Sequence, residues 1–267
     1  MGLIAVTLGG IPVYAYGLVV LSAVLPGLLV AWGNVRLHGE EFWRVEDMFL
    51  WGVPLSLLGG RIAYVFCHWG EFGAAPLSVF CIWQGGLSFY GGMLTFFFVV
   101  FAYSQIHGLD GWRWMDLLTP AFLLAVAVHG IGMFALQMNV GTPSSADPFG
   151  NRLLTEYVAF YFRPLDFQEE EYQRPIALFQ AGLQFAVFLA VCFLAFWQRE
   201  RRFPWPNGCV ALLGVGLVAL IRFACGSFYL FGFDELLLPG RILSGGAAFL
   251  CLALFAFRVR RRDFYGI

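Results

Sequence analysis

Four ionisable side chains stand in or at the ends of runs that are otherwise apolar: Arg61, His129, Arg222 and Arg241. Such groups are costly in a bilayer and mark either a functional site or a structural pairing. Among the acids only Asp116 reaches membrane depth, near one end of its run. A buried arginine without an acid wants phosphate oxygens or several carbonyls, which its planar fork of donors suits. For Arg61 and Arg222 both readings stay open: a phospholipid headgroup, or pairing within the protein. Arg241 lies near the end of its run, where reaching out to the interface is the simpler reading. His129 reads as a packing residue or as a base. Tyr16 and Tyr90 stand out from the other tyrosines because each adjoins glycine.

The densest constellation is Gly-Gly-Leu-Ser-Phe-Tyr-Gly-Gly over residues 85–92. Gly85, Gly86, Gly91 and Gly92 permit positive φ and close backbone approach. At the edge of an apolar run they would cradle a ligand or let two helices cross tightly.

These residues must be positioned by membrane helices. Of 267 residues, 60% are hydrophobic and only 12% charged, against about 25% charged in a soluble domain. The expected fold is all-α, a polytopic membrane protein with about seven transmembrane helices. The runs lie at about 14–33, 48–67, 86–106, 115–138, 176–197, 207–232 and 240–257. The first 14 residues carry no charge, so the first run reads as a retained span rather than a leader with a basic start.

All basic side chains are arginine, and the loops sort them. One side holds Arg36, Arg44, Arg113, Arg199, Arg201, Arg202, Arg258, Arg260, Arg261 and Arg262; the other holds Arg152, Arg163 and Arg174. The richer side is expected to be cytoplasmic, with the N-terminus outside and the C-terminus inside. Residues 1–267 read as one integral membrane domain, with 139–175 as a small outer cap between spans 4 and 5. The acidic run Glu169, Glu170 and Glu171 in that cap reads as a solvated face. The net charge of -1 gives no case for nucleic acid. The six cysteines show no metal spacing, and neither metal nor cofactor is expected. Cys67 and Cys81 flank one short loop, and whether they pair is open.

In order along the chain, the motifs resemble those of the prolipoprotein diacylglyceryl transferase family. Tyr16-Gly17-Leu18 is similar to the family's Tyr-Gly at the start of its first long helix. Glu46-Asp47 followed by Gly59-Gly60-Arg61-Ile62-Ala63-Tyr64-Val65 resembles its Glu-Asp and Gly-Gly-Arg-x-Gly-Tyr-Val. Trp83-Gln84-Gly85-Gly86-Leu87-Ser88-Phe89-Tyr90-Gly91-Gly92 resembles Trp-x-Gly-Gly-Met-Ser-Phe-His-Gly-Gly. Asp116 and Pro120 fit the start of the next span. Arg222-Phe223 resembles an Arg-Phe pair, and Gly240-Arg241-Ile242-Leu243-Ser244 resembles Gly-Gln-Ile-Leu-Ser.

The resemblance implies a bacterial inner-membrane enzyme that moves diacylglyceryl from phosphatidylglycerol to a lipoprotein cysteine, with glycerol phosphate leaving. Such chemistry needs an activated thiol and cations against the phosphate. It implies phosphatidylglycerol as lipid partner, and a prolipoprotein signal peptide or other membrane subunits as further partners. Arg222 matches an arginine regarded as essential, Tyr16 a functional tyrosine, and Arg61 a family position. Tyr90 or His129 would carry an altered proton role, since the family's histidine is Tyr90 here. The family's signature Gly-Arg-x-Gly-Asn-Phe-x-Asn-Gly-Glu aligns with residues 129–138, so that its arginine becomes Gly130, its first asparagine Met133 and its glutamate Met138. A functional tyrosine becomes Val218. After Arg222, an expected glutamate and second arginine become Gly226 and Tyr229. Neutral tyrosine is a poor base, with a reference pKa of about 10. Two outcomes are therefore implied: a divergent transferase, or a catalytically inactive phospholipid- or lipoprotein-binding subunit on the same scaffold.

Overall fold

A chain crossing lipid must satisfy its own backbone hydrogen bonds, so apolar runs of this length become helices. The computed structural model describes residues 4–8, 11–72, 76–82, 86–136, 176–200, 205–226 and 234–265. The expected cap over 139–175 and Gly85 lie outside the described residues. A short antiparallel hairpin, β1 (Ile4–Leu8) and β2 (Ile11–Tyr14), comes first, with Leu8 opposite Ile11 and Val6 opposite Val13. It was not anticipated, because its apolar residues merge with the first span in a hydropathy reading. Helix α1 (Ala15–Leu37) follows directly, then α2 (Trp43–Cys67), a one-turn α3 (Trp69–Phe72) and a 3-10 turn at Pro76–Phe80. Next come α4 (Phe89–Ile106), α5 (Gly111–Ala135), α6 (Ile176–Glu200), α7 (Cys209–Cys225) and α8 (Asp234–Tyr265).

The membrane-spanning part is therefore all helical and multi-pass. Six helices among the described residues are long and apolar enough to cross a bilayer. Helix α7 is apolar too but has 17 residues, about 26 Å at 1.5 Å per residue. The expected run reached residue 232, whereas α7 ends at Cys225. Helix α4 starts at Phe89 rather than 86, because Ser88 in extended conformation caps it, accepting from the Gly91 amide at 3.4 Å.

Contacts divide the chain into two units, Met1–Ala121 and Phe122–Ile267. In the first, Ala31 and Val35 of α1 meet Val45 and Met48 of α2, Val100 of α4, and Trp114, Leu117 and Leu118 of α5. Lipid is as apolar as these side chains, so their association gains from close packing rather than from exclusion of water. Polar ties secure the same end of the unit. Asn34 donates to the Leu117 carbonyl at 2.7 Å, Tyr103 donates to Asp47 at 2.9 Å, and Arg113 pairs with Glu40 at 2.7 Å. In the second unit α7 buries a face of small residues, including Ala211, Gly214, Gly216 and Ala219, and packs against α8. Large apolar side chains such as Leu29, Phe98, Phe193 and Phe249 remain exposed, as suits surfaces that face lipid.

Candidate functional site

In the first unit the paired glycines of α2 and α4 face each other. A Cβ on Gly91 would stand 2.5 Å from the Ala63 Cβ, 2.8 Å from the Gly59 carbonyl oxygen and 3.3 Å from the Gly60 Cα. A Cβ on Gly92 would reach the Ser56 carbonyl oxygen at 3.2 Å, and one on Gly60 the Ser88 carbonyl oxygen at 3.1 Å. The two backbones are thus in contact, and the Ser88 amide donates to the Gly60 carbonyl at 2.9 Å. Of the two readings of this motif, tight helix crossing describes Gly91 and Gly92.

Gly86 belongs to a different device. Its φ is +70°, and a Cβ there would sit 2.8 Å from both Arg61 Nη1 and the Tyr64 ring. Arg61 on α2 is buried, and among the described residues its guanidinium binds the main-chain carbonyls of Val79 from Nε at 2.8 Å, Ser78 from Nη2 at 2.6 Å and Gly86 from Nη1 at 3.1 Å. The rings of Phe72 and Tyr64 lie 5.3 and 5.9 Å from its central carbon. Arg61 therefore spends these donors on main-chain carbonyls. Tyr90, beside Gly91, is buried with its ring edge-on to Phe89 at 5.2 Å. Tyr16 stands half-buried in the first turn of α1. Cys67 and Cys81 are both unbonded thiols.

The second unit gathers the other candidates. His129 and Gly130 lie on α5, where Gly130 packs against α6: a Cβ there would meet the Ala181 Cβ at 2.9 Å and the Ala177 carbonyl oxygen at 3.5 Å. Arg222 lies in the last turn of α7. Arg241, near the start of α8, packs its stem on Gly226 and its guanidinium 5.6 Å from the Phe223 ring centre. Hence His129, Arg222 and Arg241 share one unit, while Tyr16, Arg61, Gly86, Tyr90, Gly91 and Gly92 share the other.

Sequence reasoning missed Gln184. With Gln180 it forms a buried pair four residues apart on α6, the same helix that closes on Gly130. The available signal was two amides one helical turn apart in an apolar run. The Gln184 amide nitrogen has no hydrogen-bond partner among the described residues.

A family model described as prolipoprotein diacylglyceryl transferase matches residues 3–257. Among curated proteins, the chain is 29% identical over 216 residues to a phosphatidylglycerol–prolipoprotein diacylglyceryl transferase of Synechocystis, covering 79% of this chain and 73% of that one. It is 26% identical over 239 residues to the protein of that name from Streptococcus suis, covering 89% and 83%. A third of the same name, from Chloroflexus aggregans, is 32% identical over 157 residues, covering 58% of this chain and 51% of its own.

Proposed function

Because the chain belongs to the prolipoprotein diacylglyceryl transferase family, we propose that it is a divergent member that binds anionic phospholipid, with phosphatidylglycerol as the prime candidate. In this reading Arg222 holds the phosphate and ordinary diacylglyceryl transfer is lost or much reduced. The observation that carries the reading is the fit at Gly130. The position matching the family's signature arginine is occupied by α6, with no room even for a Cβ without movement. A guanidinium cannot be supplied from there, so one cation that would face the leaving phosphate is missing. His129 on α5 and Tyr90 on α4 are the candidates for any residual proton transfer. Arg61 holds the main chain of the segment that includes Gly86, and Tyr16 remains a candidate lipid contact at the entrance of α1.

A location in the bacterial cytoplasmic membrane belongs to this reading, and the arginine distribution supports an orientation with the N-terminus outside. Signal peptides of prolipoproteins, or other membrane subunits, are its candidate protein partners.

Complementation of a strain depleted of the standard transferase tests the reading. No rescue is expected, and robust growth would overturn the loss of activity. Native mass spectrometry of the full chain should retain phosphatidylglycerol. Arg222→Ala should weaken that retention about tenfold or more, the scale of one charge-assisted hydrogen-bonding group. Unchanged retention would remove Arg222 from the phosphate.

A further inference from the structure

Arg241 is held in place rather than left to wander at the interface. It lies in the first turn of the apolar window Gly240–Arg260, at the end of a stretch long enough to cross the hydrocarbon. Its stem is laid across α7: a Cβ on Gly226 would come within 3.0 Å of its Cγ and 3.5 Å of its Cδ. Its guanidinium stands against Phe223, whose ring is itself backed by Gly245, where a Cβ would fall 3.2 Å away. A side chain fixed on two helices has given up the freedom that makes reaching out to water cheap. Its Nε is buried and has no hydrogen-bond partner among the described residues. No acid occurs in α7 or in the apolar window of α8. A buried N–H on a charged group is expensive to leave unpaired, so the arrangement calls for an acceptor beyond the described residues, and a bound anion would supply one.

Arg222 supplies the second half of the geometry. It stands four residues before Gly226, hence on the same side of α7 one turn away. Arg222 is thus placed one turn from the point where the Arg241 stem rests on Gly226. An anion with several equivalent oxygens suits such a pair better than a single carboxylate would.

We propose that Arg241 is a second phosphate-binding residue, completing with Arg222 a two-arginine seat for a phosphate ester at the α7–α8 contact. The proposal rests on the lipid-binding reading above and assigns the specificity for charge to this chain's own arginine. The phosphate comes from a membrane phosphodiester or from a free phosphate ester, and binding measurements separate them.

Full-length protein in detergent is titrated with phosphatidylglycerol, with phosphatidylethanolamine and with glycerol 1-phosphate, by native mass spectrometry and thermal melting. Arg241→Gln should weaken binding about tenfold, with Arg241→Lys intermediate. If the seat takes the lipid, phosphatidylglycerol binds more tightly than phosphatidylethanolamine, and Arg241→Gln erases that preference. If it takes a free ester, glycerol 1-phosphate raises the melting temperature of the wild type and not of Arg241→Gln. Should Arg241→Gln fail to fold, Gly226→Ala decides, because it displaces the arginine stem while keeping its charge. Several-fold weaker binding is then expected. Wild-type affinity in Arg241→Gln, or in Gly226→Ala where that variant decides, overturns the role of Arg241. If Arg222→Ala still abolishes binding in that case, the proposed function stands. If the wild type binds none of the three probes, both readings fall.

Discussion

At the residue scale, the informative contrast is between two arginines in apolar runs that have different employment. Arg61 spends donors on the carbonyls of Ser78, Val79 and Gly86, whereas the Nε of Arg241 is unmatched among the described residues. Arg61→Ala should therefore destabilise the protein by about 3 kcal/mol, since several carbonyls lose their partner together. Lysine should not rescue it, because an ammonium cannot span three acceptors as a planar fork does. Thermal melting and amide exchange around residues 76–82 check this, and a melt like the wild type's would refute it. That an arginine at 61 needed many acceptors was legible in the sequence. Which acceptors it took was not, because they come from chain 17 to 25 residues further on. The same limit applies at Gly130, whose neighbour Ala181 is brought in only by the packing of α6.

At the element scale, the spans were legible because apolar runs long enough to cross hydrocarbon have few alternatives. The hairpin β1–β2 and the true start of α4 were not, since a hydropathy window blends short apolar strands and capping loops into the adjoining span. The glycine motif showed that backbones come close, without saying to what. The α2–α4 crossing resolves it for Gly91 and makes a graded prediction. Gly91→Val should cost about 2–3 kcal/mol, as an overpacked contact between backbones that cannot separate cheaply. Gly246→Ala, on α8 with nothing within 4 Å of a built Cβ, should be neutral or slightly stabilising from helix propensity. Equal melting temperatures for the two variants would contradict the crossing as described.

At the scale of the whole molecule, the asymmetry of arginines around the spans carries a topological prediction. A fluorescent protein fused after Ile267 should fold and fluoresce in bacterial cells, because that end is expected in the cytoplasm. An alkaline phosphatase fused there should be inactive, and the reverse pair of results would invert the proposed orientation. The family scaffold also explains why so much of the chain was recognisable while its chemistry was not. Glycines at helix contacts constrain every neighbouring backbone, so they carry the scaffold's signature even where the side chains that would do chemistry are not identified.

The way Arg61 grips its segment has a consequence for how this protein tolerates change. The guanidinium reads main-chain oxygens, and every residue type carries one. As far as that grip goes, Ser78 and Val79 can be replaced by residues that keep the same backbone path. Their anchor has no such latitude, and neither does Gly86, whose missing side chain is what lets Arg61 and Tyr64 close in. A saturation-mutagenesis map of this region should accordingly look inverted from the usual one. Broad permissiveness is expected at 79, with two sharply intolerant positions at 61 and 86.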